Sequence, residues 1–185
     1  MAAPSSRMAA LRERAAGLRW LALDVDGTLT DGRIYIGPEG EAMKAFSVRD
    51  GLGITLLREA GLGIAIITAR RSAIVERRAA ELGIDEVLQA VSDKAHALRD
   101  LARRKAVGLG EIGFVGDDWP DLPALSIAGF AASVADGSAE VRRRAHWVAS
   151  ARAGDGAIRE LAEFILKAKG QYEPALARRL VVAGA

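Results

Sequence analysis

Asp24 and Asp26 stand two residues apart at the end of the apolar run 18–25 (LRWLALDV), and Gly27-Thr28 follows at once. An apolar strand has no reason to finish in two acids, because removing an unpaired charge from water is costly. Acids at the carboxyl end of a strand in an open α/β sheet project into the crevice where such sheets bind ligands. A divalent cation is the simplest compensation for them, and Gly27 lets the chain turn sharply away. The competing reading is a turn with a capping Asp. A second acidic tip, Gly116-Asp117-Asp118, follows the run 111–115 (EIGFV), with Asp121 three residues beyond. A site of few carboxylates and several waters suits Mg2+. For Asp118 and Asp121, capping of the next helix competes with that role. Thr68 ends the run 63–68 (GIAIIT), and Lys94 opens a helix after the third strand. A hydroxyl and an ammonium at strand–helix junctions suit the oxygens of a phosphoryl group in transfer. Singly each is weak, since strand-end threonines are often caps and most lysines are solvated. In the order DxD, Thr, Lys, GDD, each beside a strand end, they point to phosphoryl chemistry.

The elements that must position these residues alternate in the α/β manner. Strands are expected at 18–25, 63–68, 86–88, 111–115, 130–134 and 146–148. Helices are expected at 51–60, 72–82, 93–105, 122–128, 138–144 and 157–169, the second ended by Gly83. One segment breaks the alternation: 33–36 (RIYI), a turn at 37–40 (GPEG) and 41–46 (EAMKAF) read as a β-hairpin inserted after the first strand. A hairpin alone is marginal in water and needs a partner surface, its own domain or another subunit.

The 185 residues suit one domain, with 50% apolar and 27% charged residues. Lys and Arg number 26 against 24 Asp and Glu, which argues against a nucleic-acid partner. The absence of cysteine excludes disulfides, thiolate metal sites and cysteine nucleophiles, and is compatible with a cytoplasmic location. No apolar run approaches the roughly 18 residues of a membrane helix, so no membrane partner is expected. The first 17 residues mix arginine with alanine and read as a frayed or amphipathic extension. His96 and His146 are assigned to no metal; Trp119 reads as packing at the acidic loop, and the run 142–144 as a solvated helix face.

Through Asp24, Asp26, Thr68, Lys94, Asp117 and Asp118 the chain resembles the haloacid dehalogenase-like phosphatases. The resemblance spans residues 18–170. Within that superfamily it is similar to the 3-deoxy-D-manno-octulosonate 8-phosphate (KDO 8-phosphate) phosphatases, through DVDGTLTDGRIYIGPEGEAMKAFSVRDGLGI, AIITARRSAIVERRAAELGI and FVGDDWPDLP. The resemblance implies a Rossmann-like parallel sheet with helices on both faces, a hairpin insert (32–46) after strand 1 and no large cap domain. The phosphatase domain would run from 18 to 170, between an extension (1–17) and a tail (171–185). It further implies Asp24 as nucleophile, Asp26 as proton donor and acceptor, and Thr68 and Lys94 on the phosphoryl oxygens. Mg2+ would be held by Asp24, the Asp26 carbonyl and Asp117, with Asp118 orienting that shell from behind. The substrate would be a small sugar acid phosphate met by Ser47, Val48, Arg49, Asp50, Gly51, Arg70 and Arg78, in lipopolysaccharide precursor synthesis.

Related phosphatases of nine-carbon sugar acids tend to carry Glu where Arg70 stands, which favours the eight-carbon substrate. Thr55 and Asp155 depart from the family pattern, where Arg is frequent at both. The resemblance also implies a homotetramer in which hairpins associate and a neighbour helps cover each site. A nine-carbon sugar acid phosphate is the alternative substrate. A phosphorelay receiver is the alternative class, disfavoured because receivers place their phosphoacceptor on a middle strand whereas here DxD comes first.

Overall fold

A computed structural model of the chain describes residues 4–84 and 86–181. Short apolar segments form the strands β1 (Trp20–Leu23), β4 (Gly63–Ile67), β5 (Glu86–Leu88), β6 (Ile112–Val115), β7 (Phe130–Ser133) and β8 (Trp147–Val148). Among the described residues these make one parallel sheet in the order β5-β4-β1-β6-β7-β8. The two-residue period of a strand sends alternate side chains to opposite faces. Leu21, Leu23, Ile64, Ile66 and Phe130 therefore join one core, and Ala22, Ala65, Ile67, Phe114 and Ala131 another. Sheets buried on both faces need helices on both.

The first face is covered by α1 (Pro4–Ala16), α2 (Val48–Glu59), α3 (Ala73–Glu81) and α7 (Ala157–Ala168), and the second by α4 (Lys94–Lys105), α5 (Leu122–Ile127) and α6 (Ala139–Arg144). The chain runs outward from β1 through β4 to β5, then returns to the other side of β1 as β6. The gap between the carboxyl ends of β1 and β6 is thus the topological switch point, where open α/β sheets take their ligands. The insert after β1 is a separate antiparallel pair, β2 (Tyr35–Gly37) and β3 (Gly40–Met43), closed by the expected turn. No cap domain is found among the described residues.

Of the two expectations for the N-terminal extension, frayed or amphipathic, residues 4–16 depart from the first: α1 packs on α7, Ala15 is fully buried, and Lys169 Nζ donates to the Ala16 carbonyl at 2.8 Å. Met1, Ala2 and Ala3 lie outside the described residues, as do residues 182–185 of the tail, which otherwise forms α8 (Tyr172–Val181) and ties Arg179 to Glu59 at 2.7 Å. Helix α2 starts at Val48, three residues earlier than expected, although Gly51 and Gly53 fall inside it. Their presence costs helix propensity, and tertiary packing compensates. A Cβ at Gly53 would stand 2.9 Å from Arg159 Cα, so the glycine is what lets α2 and α7 approach.

Candidate active site

Asp24 is the first residue past β1, and its amide still donates to Val115 O at 3.0 Å, which holds it against the end of β6. Gly27 turns the chain with φ +91°, and a Cβ there would come within 2.2 Å of Asp117 Oδ2. The Asp117 carboxylate can therefore lie against this turn only because residue 27 has no side chain. Oxygens of Asp24, Asp117 and Asp121 lie within 4.8 Å of one another. Thr28, fully buried, donates its hydroxyl to Asp117 Oδ1 at 3.0 Å.

Among the described residues one cation, Lys94, pairs with this cluster. Lys94, 5% exposed, lies 2.7 Å from Asp24 Oδ1 and 2.5 Å from Asp121 Oδ1. Asp93 caps α4 through the amide of His96, which places Lys94 at the first position of the helix, directed at the switch point. Asp121 also accepts the amides of Asp117 (2.9 Å) and Asp118 (3.2 Å) on Oδ2. It is the residue behind the acidic tip. Sequence reasoning placed Asp118 there; the structure leaves the Asp118 side chain exposed at the start of the Trp119–Asp121 turn, and the buried carboxylate is Asp121.

The electrostatics follow from the crowding. Burial, then the neighbouring Asp121 charge, pushes the Asp24 carboxyl up to about 6, although Lys94 pulls it down. Burial with Asp24 and Asp121 pushes Asp117 up to about 7. Burial alone would lower the Lys94 ammonium, but Asp24 and Asp121 outweigh it and hold Lys94 above its usual range. Among the described residues no cation touches Asp117. Three clustered carboxylates with one ammonium leave excess negative charge on hard oxygen donors, so the residues present fit a divalent cation of the Mg2+ kind.

Thr68 follows β4, next to β1, and is buried. Arg70, two residues on, has its Nε 3.7 Å from Asp26 Oδ2. The hairpin brings Lys44 onto Asp26, a contact for which the sequence offered no signal because the partners sit on separate elements.

The segment Ser47 to Gly51, expected to meet the substrate, also serves the packing of the helices. Ser47 caps α2, accepting the Asp50 amide at 3.4 Å. Asp50 is buried and accepts the amides of Gly156 (3.2 Å) and Arg159 (2.9 Å), which makes it the N-terminal brace of α7. Losing such a partner costs about 1–3 kcal/mol for each buried N–H left unpaired. Burial raises the Asp50 carboxyl, partly offset by those amides. Gly51 makes room for Arg78, whose Nη2 would be 2.4 Å from a Cβ there. Arg78 lies 5.9 Å from the Phe46 ring centre and pairs with Glu81 at 3.1 Å; it makes no ion pair with the acidic cluster. Only Val48 and Arg49 face outward, and Arg49 pairs with Asp155. Thr55 bonds back to Gly51 O at 3.1 Å within its own helix. His96 is exposed beside Asp100, His146 Nδ1 accepts the Ala131 amide at 2.9 Å, and Trp119 stands exposed at the rim.

A parallel sheet whose switch point gathers a DxD tip, a second acidic tip and a buried lysine is the architecture of a haloacid dehalogenase-like hydrolase, and the profile of that family matches residues 83–161. Over 163 residues the chain is 40% identical to the 3-deoxy-D-manno-octulosonate 8-phosphate phosphatase KdsC of Yersinia pestis, covering 88% of this chain and 87% of that protein. The crystal structure of the Moraxella catarrhalis 3-deoxy-D-manno-octulosonate 8-phosphate phosphatase, in complex with magnesium ion, phosphate ion and KDO, superposes with a TM-score of 0.90 at 41% identity, over 92% of this chain and 98% of that one. The cobalt-bound Haemophilus influenzae phosphatase superposes with a TM-score of 0.84 at 38% identity, over 86% and 93%. The chain belongs to the KDO 8-phosphate phosphatase family of haloacid dehalogenase-like hydrolases.

Proposed function

We propose that the chain hydrolyses 3-deoxy-D-manno-octulosonate 8-phosphate to KDO and phosphate through a phosphorylated Asp24. The observation that carries this reading is the placement of Asp24 at the switch point, in contact with Lys94 and clustered with Asp117 and Asp121. A carboxylate oxygen of Asp24 attacks phosphorus in line as the bond to the sugar oxygen breaks. Asp26 gives that oxygen its proton, then takes a proton from the water whose oxygen displaces Asp24 from phosphorus. Lys94 and the Thr68 hydroxyl offset negative charge on the phosphoryl oxygens. The Asp24 and Asp117 carboxylates with the Asp26 carbonyl would hold Mg2+, and Asp121 fixes the Asp117 loop and Lys94 from behind. When bound, the ion supplies positive charge beside the phosphoryl oxygens and neutralises the crowded acids. Arg70, half exposed beside Asp26, offers a guanidinium to the substrate carboxylate.

The reading is tested by phosphate release from KDO 8-phosphate beside a nine-carbon sugar acid phosphate in Mg2+ buffer. We expect kcat/KM to favour the eight-carbon ester at least about tenfold, a difference of ~1.4 kcal/mol. Preference for the nine-carbon ester would reverse the substrate assignment and leave the chemistry intact.

The hairpin exposes Ile34, Tyr35, Ile36 and Met43, with Val48 nearby, and Ile36 is 77% exposed. An apolar face of this kind on a marginal hairpin supports a homotetramer in which neighbouring copies cover it. Light scattering should return four chain masses; a monomer at micromolar concentration would dismiss the assembly. A cytoplasmic role in supplying lipopolysaccharide precursor accompanies the substrate reading. Among the described residues no helix is long and apolar enough to cross a membrane.

A further inference from the structure

Lys44 follows β3, yet its side chain is only 1% exposed. Its ammonium is bonded to Asp26 Oδ1 and lies 2.9 Å from Glu41 Oε1. Glu41 in turn accepts the Ser72 hydroxyl. Ser72 is the N-cap of α3, accepting the Val75 amide at 3.3 Å, and its own amide donates to Gln89 Oε1 at 2.6 Å. Hydrogen bonds, joined by the Lys44–Glu41 ion pair, therefore run from the tip of β1, through the hairpin, to the loops after β4 and β5. Burying an ammonium is costly unless it is fully paired, and the pairing of β2 with β3 does not require it. The other Asp26 oxygen, Oδ2, lies 3.7 Å from Arg70 Nε, beyond hydrogen-bond distance.

An ammonium group only donates hydrogen bonds. The carboxyl oxygen it holds must accept at that contact, so a proton carried by Asp26 belongs on Oδ2. We propose that Lys44 is a positioning residue for Asp26: it pins Oδ1 and thereby dedicates Oδ2 to proton exchange with the leaving oxygen. This rests on the reading of Asp26 as proton donor. As the Asp24–phosphorus bond forms and the bond to the sugar oxygen breaks, the Oδ2 proton passes to the departing alkoxide. In the second half a water proton returns to Oδ2 while the water oxygen bonds phosphorus and the Asp24–phosphorus bond breaks. Lys44 keeps its protons throughout. The hairpin thus completes the catalytic geometry from within its own chain.

The test compares two leaving groups in the Mg2+-loaded enzyme. An alkoxide needs a proton to leave, whereas p-nitrophenolate leaves without one, and kcat/KM reports the phosphoryl transfer to Asp24 alone. Lys44→Met should lower kcat/KM for KDO 8-phosphate about 100-fold and for p-nitrophenyl phosphate less than about 5-fold, in keeping with the usual worth of a positioned acid. Glu41→Gln, which weakens the hold on Lys44 and touches no reacting group, should show the same selectivity at about 10-fold; it carries the test if thermal melting shows Lys44→Met unfolded. Equal losses on both esters, or no loss on either, would overturn the proposal. Asp26→Asn separates the two readings: equal losses there remove Asp26 as donor and the Lys44 role with it. Selective loss in Asp26→Asn without it in the Lys44 and Glu41 variants would remove the Lys44 role alone.

Discussion

Replacing Asp24 by Asn should lower phosphate release by at least about 10⁴-fold, the scale on which nucleophile removal acts in covalent hydrolases. The amide matches the carboxylate in shape but lacks its charge, so it neither attacks phosphorus nor offers Lys94 an anion at 2.7 Å. Radiolabel from the substrate phosphoryl group should appear on the parent protein after acid quench and be absent from the variant. Because burial already pushes the Asp24 carboxyl up to about 6, removing its charge relieves a strain of the free site, and the variant should melt no lower than the parent at pH 8. Residual turnover above one part in about 100 would remove Asp24 from its role, since general acid–base and positioning effects alone would then suffice.

Chelation should abolish activity, and added Mg2+ should restore it together with a pH-dependent gain in stability. The sign follows from the two raised carboxyls. Asp24 moves from 3.8 to about 6 and Asp117 from 3.8 to about 7 on folding without the ion. Between those limits the folded chain binds more protons than the unfolded one at these two groups, so their contribution to stability is fully present below about pH 4 and is lost as pH rises through about 7. A dication competes with these protons and offsets the exposed repulsion, so it binds best where the acids are ionised. The melting temperature in 10 mM Mg2+ should therefore exceed that in chelator by more at pH 8 than at pH 5. A Mg2+ gain independent of pH, or larger at pH 5, would place the ion elsewhere than on Asp24 and Asp117.

The switch-point chemistry was legible because each part is local. The apolar runs 18–25 and 111–115, with Asp24-Val25-Asp26-Gly27 at the end of one and Gly116-Asp117 after the other, announce acids at strand tips without any tertiary knowledge. The hairpin was legible from its turn for the same reason. Asp121 was harder: as a residue it reads equally as a helix cap, and only its partner Lys94, 27 positions earlier, shows that it is the buried carboxylate while Asp118 faces solvent. The stretch Ser47 to Gly51 read as substrate-facing, but Ser47 and Asp50 satisfy helix termini and Gly51 admits Arg78, demands set by α2, α3 and α7 meeting one another.

Residue order alone was enough for the strand–helix alternation, the acids and their chemistry, because hydrophobic period and charge at a strand end are properties of neighbouring residues. Folding decided the rest: that α1 docks on α7, that α2 tolerates two interior glycines, and that Lys44 reaches Asp26 from the hairpin. Those outcomes depend on which distant surfaces exclude water together and which buried charges find partners, and neither is encoded within a single segment.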